Sequence, residues 1–181
     1  MTKYIALLRG INVGGYTKIG MKDLRGLFAD MGFESAQTYL QSGNVVFGAP
    51  DGQAPAELAA GIEKRIESDL GVSVTVLLRT ADSLARTLAA NPYLDREDDP
   101  TKLHVTFLAE APTAEQAGRL ETPAAETAEF SLAGDEIHLH VPGGYGRTKL
   151  NNAFIERRLG MPATTRNWKT VNALHELAAD G

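Results

Sequence analysis

The sequence contains no cysteine. Disulfides, cysteine-bound zinc and thiol catalysis are therefore excluded, and the chain suits a reducing compartment, with a cytoplasmic location expected. Aromatic residues are scarce, at 7% with a single tryptophan, so few rings are left outside a core to stack nucleic-acid bases. Long apolar runs are missing too. The longest, such as Ile5 to Leu8 and Val74 to Leu78, have strand length and fall far short of the roughly 20 residues that span a bilayer. No membrane partner is expected. The first residues run straight into a strand pattern without a basic n-region or long apolar h-region, so no signal peptide is expected either. There is no excess of positive charge: 18 Lys and Arg face 23 Asp and Glu, a net of −5. That balance disfavours non-specific coating of nucleic acid.

What is present is an ordinary globular composition over 181 residues, 43% apolar and 23% charged. It is enough for one compact domain or two small halves. The charge is unevenly placed. Residues 1–25 carry a net +4 and residues 147–169 a net +5, whereas 26–146 carry −12. If both ends fold together, they build one basic site on an acidic body.

The hydrophobic pattern predicts a strand–helix order that occurs twice. Lys3–Arg9 reads as a buried strand, and Gly10–Gly20 as a glycine-rich loop. Met21, Leu24, Leu27, Phe28 and Met31 follow at helical spacing, stopped by Gly32. Thr38–Gln41 and Asn44–Phe47 flank Ser42-Gly43 as a hairpin. Pro55 opens a helix with the stripe Leu58, Ile62, Ile66 and Leu70, closed by Gly71, and Val74–Leu78 is the next strand. After a linking helix over 80–90 and an acidic, solvated loop over 91–100, the order repeats. Leu103–Leu108 is a strand, and Thr113 with Gln116 forms a capping box. A hairpin pairs Thr127–Leu132 with Glu136–Val141. Asn151–Leu159 is a helix closed by Gly160, Ala163–Thr165 a short strand, and a last helix carries Trp168, Val171, Leu174 and Leu177. The expected fold is α+β: two tandem ferredoxin-like βαββαβ subdomains with antiparallel sheets. The first half covers 1–80; residues 81–181 supply the linking helix, the second half and the C-terminal helix.

Three separated segments, Arg9-Gly10-Ile11-Asn12-Val13-Gly14-Gly15, Tyr39 to Phe47 (through Gln41-Ser42-Gly43-Asn44) and Thr165-Arg166-Asn167-Trp168, resemble domain-of-unknown-function family 1697 over essentially the whole chain. The resemblance implies two ferredoxin-like subdomains in small, mostly bacterial proteins. It implies no activity.

Four segments carry candidate chemistry. The first loop offers Arg9, Asn12 and Lys18 around glycines that let backbone N–H groups approach an anion. The hairpin tip offers Gln41 and Asn44. Gly143 to Lys149 places Arg147 and Lys149 before a helix N-terminus with its positive dipole end. Arg166 brings a guanidinium suited to bidentate phosphate or carboxylate binding, beside Asn167, which caps the last helix, and Trp168, which packs into the core. The first loop, with Gly14-Gly15, fits neither a Walker nor a dinucleotide fingerprint, and no cofactor is implied. His138 and His140 share a strand face, with His104 given the same parity. Three histidines there are conceivable metal ligands, but an open polar sheet face is the expected role and no metal is assigned. No nucleophile is linked to a base, so no catalytic residue or reaction is assigned. A small anionic ligand is the expected partner. The alternatives are an RNA-binding ferredoxin-like sheet, disfavoured by the lack of the K/R-G-F/Y-G/A-F-V-x-F/Y element, and a regulatory interaction module without chemistry.

Overall fold

The computed structural model describes residues 1–11, 18–40 and 43–179. The chain divides into two compact units: Met1–Ala85 with the stretch from Ala173 onward, and Arg86–Asn172.

In the first unit the order is β1 (Thr2–Leu8), α1 (Met21–Asp30), β2 (Glu34–Tyr39), β3 (Asn44–Ala49), α2 (Pro55–Leu70) and β4 (Val76–Thr80). The strands form an antiparallel sheet in the order β2-β3-β1-β4. Period-2 alternation sends Tyr4, Ala6 and Leu8 of β1, with Val45, Phe47 and Ala49 of β3, into one core. The α1 stripe Leu24, Leu27 and Phe28 and the α2 stripe Leu58, Ile62 and Ile66 pack on that same face. Gly32 and Gly71 lie at positive φ after the two helices, as helix stops do. The opposite face is buried as well, at Ile5, Leu7 and Val46.

After α3 (Ala81–Ala89), the second unit repeats the plan: β5 (Leu103–Leu108), α4 (Ala114–Gly118), β6 (Glu129–Ala133), β7 (Glu136–His140), α5 (Asn152–Leu159) and β8 (Ala163–Asn167). Its sheet runs β6-β7-β5-β8, again antiparallel. The first strand of each half thus lies between the third and fourth, and the second at an edge: the ferredoxin-like arrangement, twice. Thr113 and Gln116 make the expected capping box, and Asn151 caps α5 by accepting from Phe154 N at 3.0 Å. In α6 (Trp168–Ala179) the buried stripe is Trp168, Val171, Leu174 and Ala178; Leu177, expected in that stripe, is only half-buried.

Several strand limits differ from the sequence pattern, three of them for identifiable local reasons. β2 begins at Glu34 rather than near Thr38, since its polar, half-exposed sequence suits a sheet edge and is interrupted by a bulge at Ser35, φ +52°. β4 starts at Val76, although Thr75 already accepts from Arg9 N at 2.9 Å. β8 runs two residues past Thr165 because Arg166 and Asn167 both pair with β5.

Gly43 closes the first hairpin. It has φ +85°, and a Cβ there falls 2.6 Å from Ile11 Cδ1 and 2.9 Å from Leu8 Cβ. Gly43→Ala is expected to lower stability by roughly 1–3 kcal/mol in denaturant melts, through backbone strain and overpacking together. Trp168→Ala is expected to cost about 3–5 kcal/mol in the same measurement.

Candidate functional site

The first two motif segments meet in the first unit. β1 ends at Leu8, whose N–H donates to Gly43 O at 2.8 Å. The hairpin tip is thereby bonded to the point where the first loop leaves the sheet. Gly10 turns the chain at φ +67°, and Ile11 is fully buried in the core beneath. Arg9 and Lys18 are exposed. Asn12 and Gln41 lie outside the described residues, as does Gly14-Gly15. Asn44 is fully buried and donates from Nδ2 to Tyr39 O at 2.7 Å, so its amide tightens the hairpin. Leu40, beside it, is a large apolar residue that is 53% exposed at φ +58°.

Arg9 lines a cleft of about 580 Å³ together with Gly10, the α2 residues Glu63, Lys64 and Glu67, and Ser73 to Thr75. Helix geometry puts Glu63 and Glu67 one turn apart on the same side of α2. Glu63 accepts from Val76 N at 3.2 Å.

In the second unit Arg147 and Lys149 are exposed and line a smaller cavity of about 320 Å³ with Gly143, Gly144 and Glu126. Backbone donors beside this loop serve the chain's own carboxylate. Glu126 accepts from Lys149 N at 2.8 Å and from Thr127 N and Ala128 N at 3.1 Å. Those backbone donors hold its carboxyl below the usual glutamate range. Donors at the start of α5 are engaged too: Asn152 N by Tyr145 Oη at 2.8 Å, and Phe154 N by the Asn151 cap.

Arg166 points inward. It is 7% exposed, and its Nη1 donates to Thr164 Oγ1 at 2.6 Å and Thr165 O at 3.1 Å. Burial pulls the guanidinium down to about 10, which leaves it charged at neutral pH. Asn167 caps α6 as its sequence suggests, accepting from Thr170 N at 2.8 Å, and Trp168 is buried.

The histidines depart from expectation in two ways. His104 pairs with Leu139 and Val105 with His138, so His104 lies on the opposite sheet face from His138 and His140. A shared three-histidine site is geometrically impossible, and no group of His, Asp and Glu among the described residues is arranged to hold a metal ion. Nor is the face open: His138 is 1% exposed and His104 and His140 are 8% exposed. His104 stacks on Tyr145 with ring centroids 4.7 Å apart, and His138 meets the edge of Trp168 at 6.4 Å.

Around His140 is a cluster that sequence reasoning missed. Its Nε2 lies 2.8 Å from Glu97 Oε1 and its Nδ1 3.1 Å from Glu129 Oε1. Tyr93 stacks on the ring, and Arg96 lies over Tyr93 while donating to Glu129. Both carboxyls are held below their usual range, chiefly by the His140 hydrogen bond. The acidic stretch after Asn91, expected to be solvated, is thus bonded to β6 and β7. The carboxylates face opposite ring nitrogens and share no point where an ion could sit. The signal was in the sequence as Glu97 and Glu129, but nothing local distinguishes them from surface acids.

His104 and His138 are both pushed down to about 4 by burial, from 6.5. Below pH 6.5 an unfolded chain takes up protons that the folded chain refuses until about pH 4. Stability is therefore expected to fall across that window as pH drops and to gain nothing further from these groups above it. Thermal melts from pH 7.5 to 4 measure the slope, and His138→Phe should reduce it to roughly half, the share that His104 keeps.

The comparisons agree with this architecture. No helix among the described residues is long and apolar enough to cross a membrane. No curated protein matches the sequence. Among solved structures, the conserved bacterial protein SP0830 from Streptococcus pneumoniae is similar at 25% identity and a TM-score of 0.73, with 98% of each chain covered. The family described as "Protein of unknown function (DUF1697)" matches residues 1–138. That span holds the Arg9 and hairpin motifs, while the Thr165-Arg166-Asn167-Trp168 segment falls beyond it. By that match over most of its length, the chain belongs to the DUF1697 family.

Proposed function

We propose that this chain binds a small ligand bearing a phosphate or carboxylate in the cleft beside Arg9. One observation carries the proposal: an exposed arginine from the first motif, its own N–H bonded to Thr75 O, lines a cleft of about 580 Å³ with α2 and the segment Ser73 to Thr75. A guanidinium offers a planar fork of donors that matches an oxyanion, and its charge survives at any physiological pH. Lys64 adds a second cation, and Ser73 and Thr75 add polar lining. Gly10 leaves the backbone beside Arg9 without a side chain, so an anion approaches it closely.

The proposal is made for the first unit alone. Arg147 and Lys149 adjoin backbone donors that Glu126 already uses, and Arg166 is committed to Thr164 and Thr165. An RNA-binding sheet is less well supported, because such a sheet needs an open face of stacking aromatics. Here Ile5, Leu7 and Val46 in one sheet, and Leu103, Val105 and Phe107 in the other, are buried on the faces away from α1, α2, α4 and α5.

Thermal-shift measurements with inorganic phosphate, sulfate and citrate test the proposal. Binding to the folded state alone raises stability by roughly 2.7 kcal/mol at a hundredfold excess over Kd. The expected result is a saturable rise in Tm for at least one oxyanion, lost in Arg9→Ala with the unliganded Tm little changed. No rise with any of them, or a rise that survives Arg9→Ala, overturns it.

A further inference from the structure

We infer that the ligand of the Arg9 cleft is a small zwitterion, an oxyanion joined to a primary ammonium by a short polar or alkyl chain. The inference rests on the anion-binding role proposed above and narrows it to a substrate class. The cleft wall is not simply basic. It presents two cations, Arg9 and Lys64, and two carboxylates, Glu63 and Glu67. A site for a bare anion gains nothing from carboxylates in its wall, since each repels the ligand it is meant to hold. For a ligand with charge of both signs, the same wall is complementary throughout.

The geometry separates the two charges. Arg9 enters from the end of β1, whereas Glu63 and Glu67 stand one turn apart on α2. Like charges at that spacing repel, and an ammonium seated between them relieves the repulsion while donating up to three hydrogen bonds. Glu63 already spends one oxygen on Val76 N. Among the described residues the Glu67 carboxylate makes no hydrogen bond or ion pair, which leaves its acceptor capacity for a ligand. Ser73 and Thr75 add polar lining to the same wall.

The wall also argues against larger ligands. Among the described residues its one apolar side chain, Val74, is itself 9% exposed and packed into the core. Among those residues a nucleobase or other aromatic ring finds little apolar surface to cover it, whereas pockets for such groups are lined mostly by hydrophobic and aromatic side chains. An aminoalkyl phosphate and an amino acid share the required chemistry, and the two are separable by experiment.

Calorimetric titration of the full chain at pH 7.5 compares matched pairs: 2-aminoethyl phosphate against ethyl phosphate, and 4-aminobutanoate against butanoate. The expected result is at least tenfold tighter binding for the amine-bearing member of one pair. The phosphate pair points to an aminoalkyl phosphate, and the carboxylate pair to an amino acid. Glu67→Gln should abolish the preference for the amine while leaving binding of the amine-free partner no weaker, and Arg9→Ala should weaken both. Equal affinity within both pairs, with inorganic phosphate still bound through Arg9, overturns the zwitterion and leaves the anion site standing. An amine preference that survives Glu67→Gln overturns it as well. Failure of every probe, inorganic phosphate included, overturns the anion site itself.

Discussion

The contact of Gly43 with Leu8 and Ile11 is the constraint on which the geometry of the first unit turns. The hydrogen bond from Leu8 N to Gly43 O extends the β1–β3 ladder past Leu7↔Asn44, the last register pair between the two strands. With no Cβ on Gly43, the backbone of the hairpin tip lies directly on the side chains of the outgoing strand. Ile11 is held at full burial, and Gly10 makes the turn between it and Arg9. The exposed arginine therefore leaves the sheet from a point fixed on both sides, by Gly43 across one edge of β1 and by Thr75 O across the other. A charged side chain anchored this way loses less freedom on binding than one on an unsupported loop.

The second unit uses its polar residues differently. Where the first unit lays aromatic rings against one another, with Phe28 and Phe33 packed on Phe47, the second builds polar crosslinks. Thr165 Oγ1 lies 2.7 Å from Thr106 Oγ1 and donates to Asn152 Oδ1, and Asn152 Nδ2 donates to Ala163 O. These bonds attach the first turn of α5 to β8. Buried polar groups satisfied in this way specify one packing, since any slip leaves donors unpaired. The exceptions among the described residues are both ring nitrogens of His138, Nδ1 of His104 and Nδ2 of Asn91, buried without a hydrogen-bond partner. These orphaned groups are local weaknesses in an otherwise satisfied unit.

The fold was legible because it is written in periodicity. Stripes such as Leu58, Ile62 and Ile66, glycine stops such as Gly71 and Gly160, and the Thr113–Gln116 cap are local signals, and each lies where its spacing demands. Pairings across the sheet were harder to read. His104 and His138 lie on neighbouring strands, and only the register of those strands decides whether they share a face. A one-residue change in register inverts the answer. The site residues show the same limit. Arg9 stands out in the sequence for its charge beside glycines, and it lines a cleft. Asn44 has equal polarity in sequence but turns inward to bond Tyr39. Glu63, Lys64 and Glu67 read as the solvated side of a helix, because nothing in the sequence tells which loop they face. Glu126 was invisible for a related reason: its partners come from its own turn and from Lys149, and only folding brings these together.

The solitary tryptophan, edge-on to an uncharged imidazole, gives the protein a built-in optical probe. Trp168 is the one indole in the chain, so intrinsic emission excited at the red edge comes from a single place beside β7. An imidazolium quenches a neighbouring indole far more than a neutral imidazole does, which makes the brightness of that emission a gauge of the charge on His138. The same ring sits at the first residue of α6, where fraying or detachment of the helix start wets it and reddens its spectrum. Two independent events, protonation and loosening, are thus separated in one fluorophore: the first changes its intensity, the second its colour.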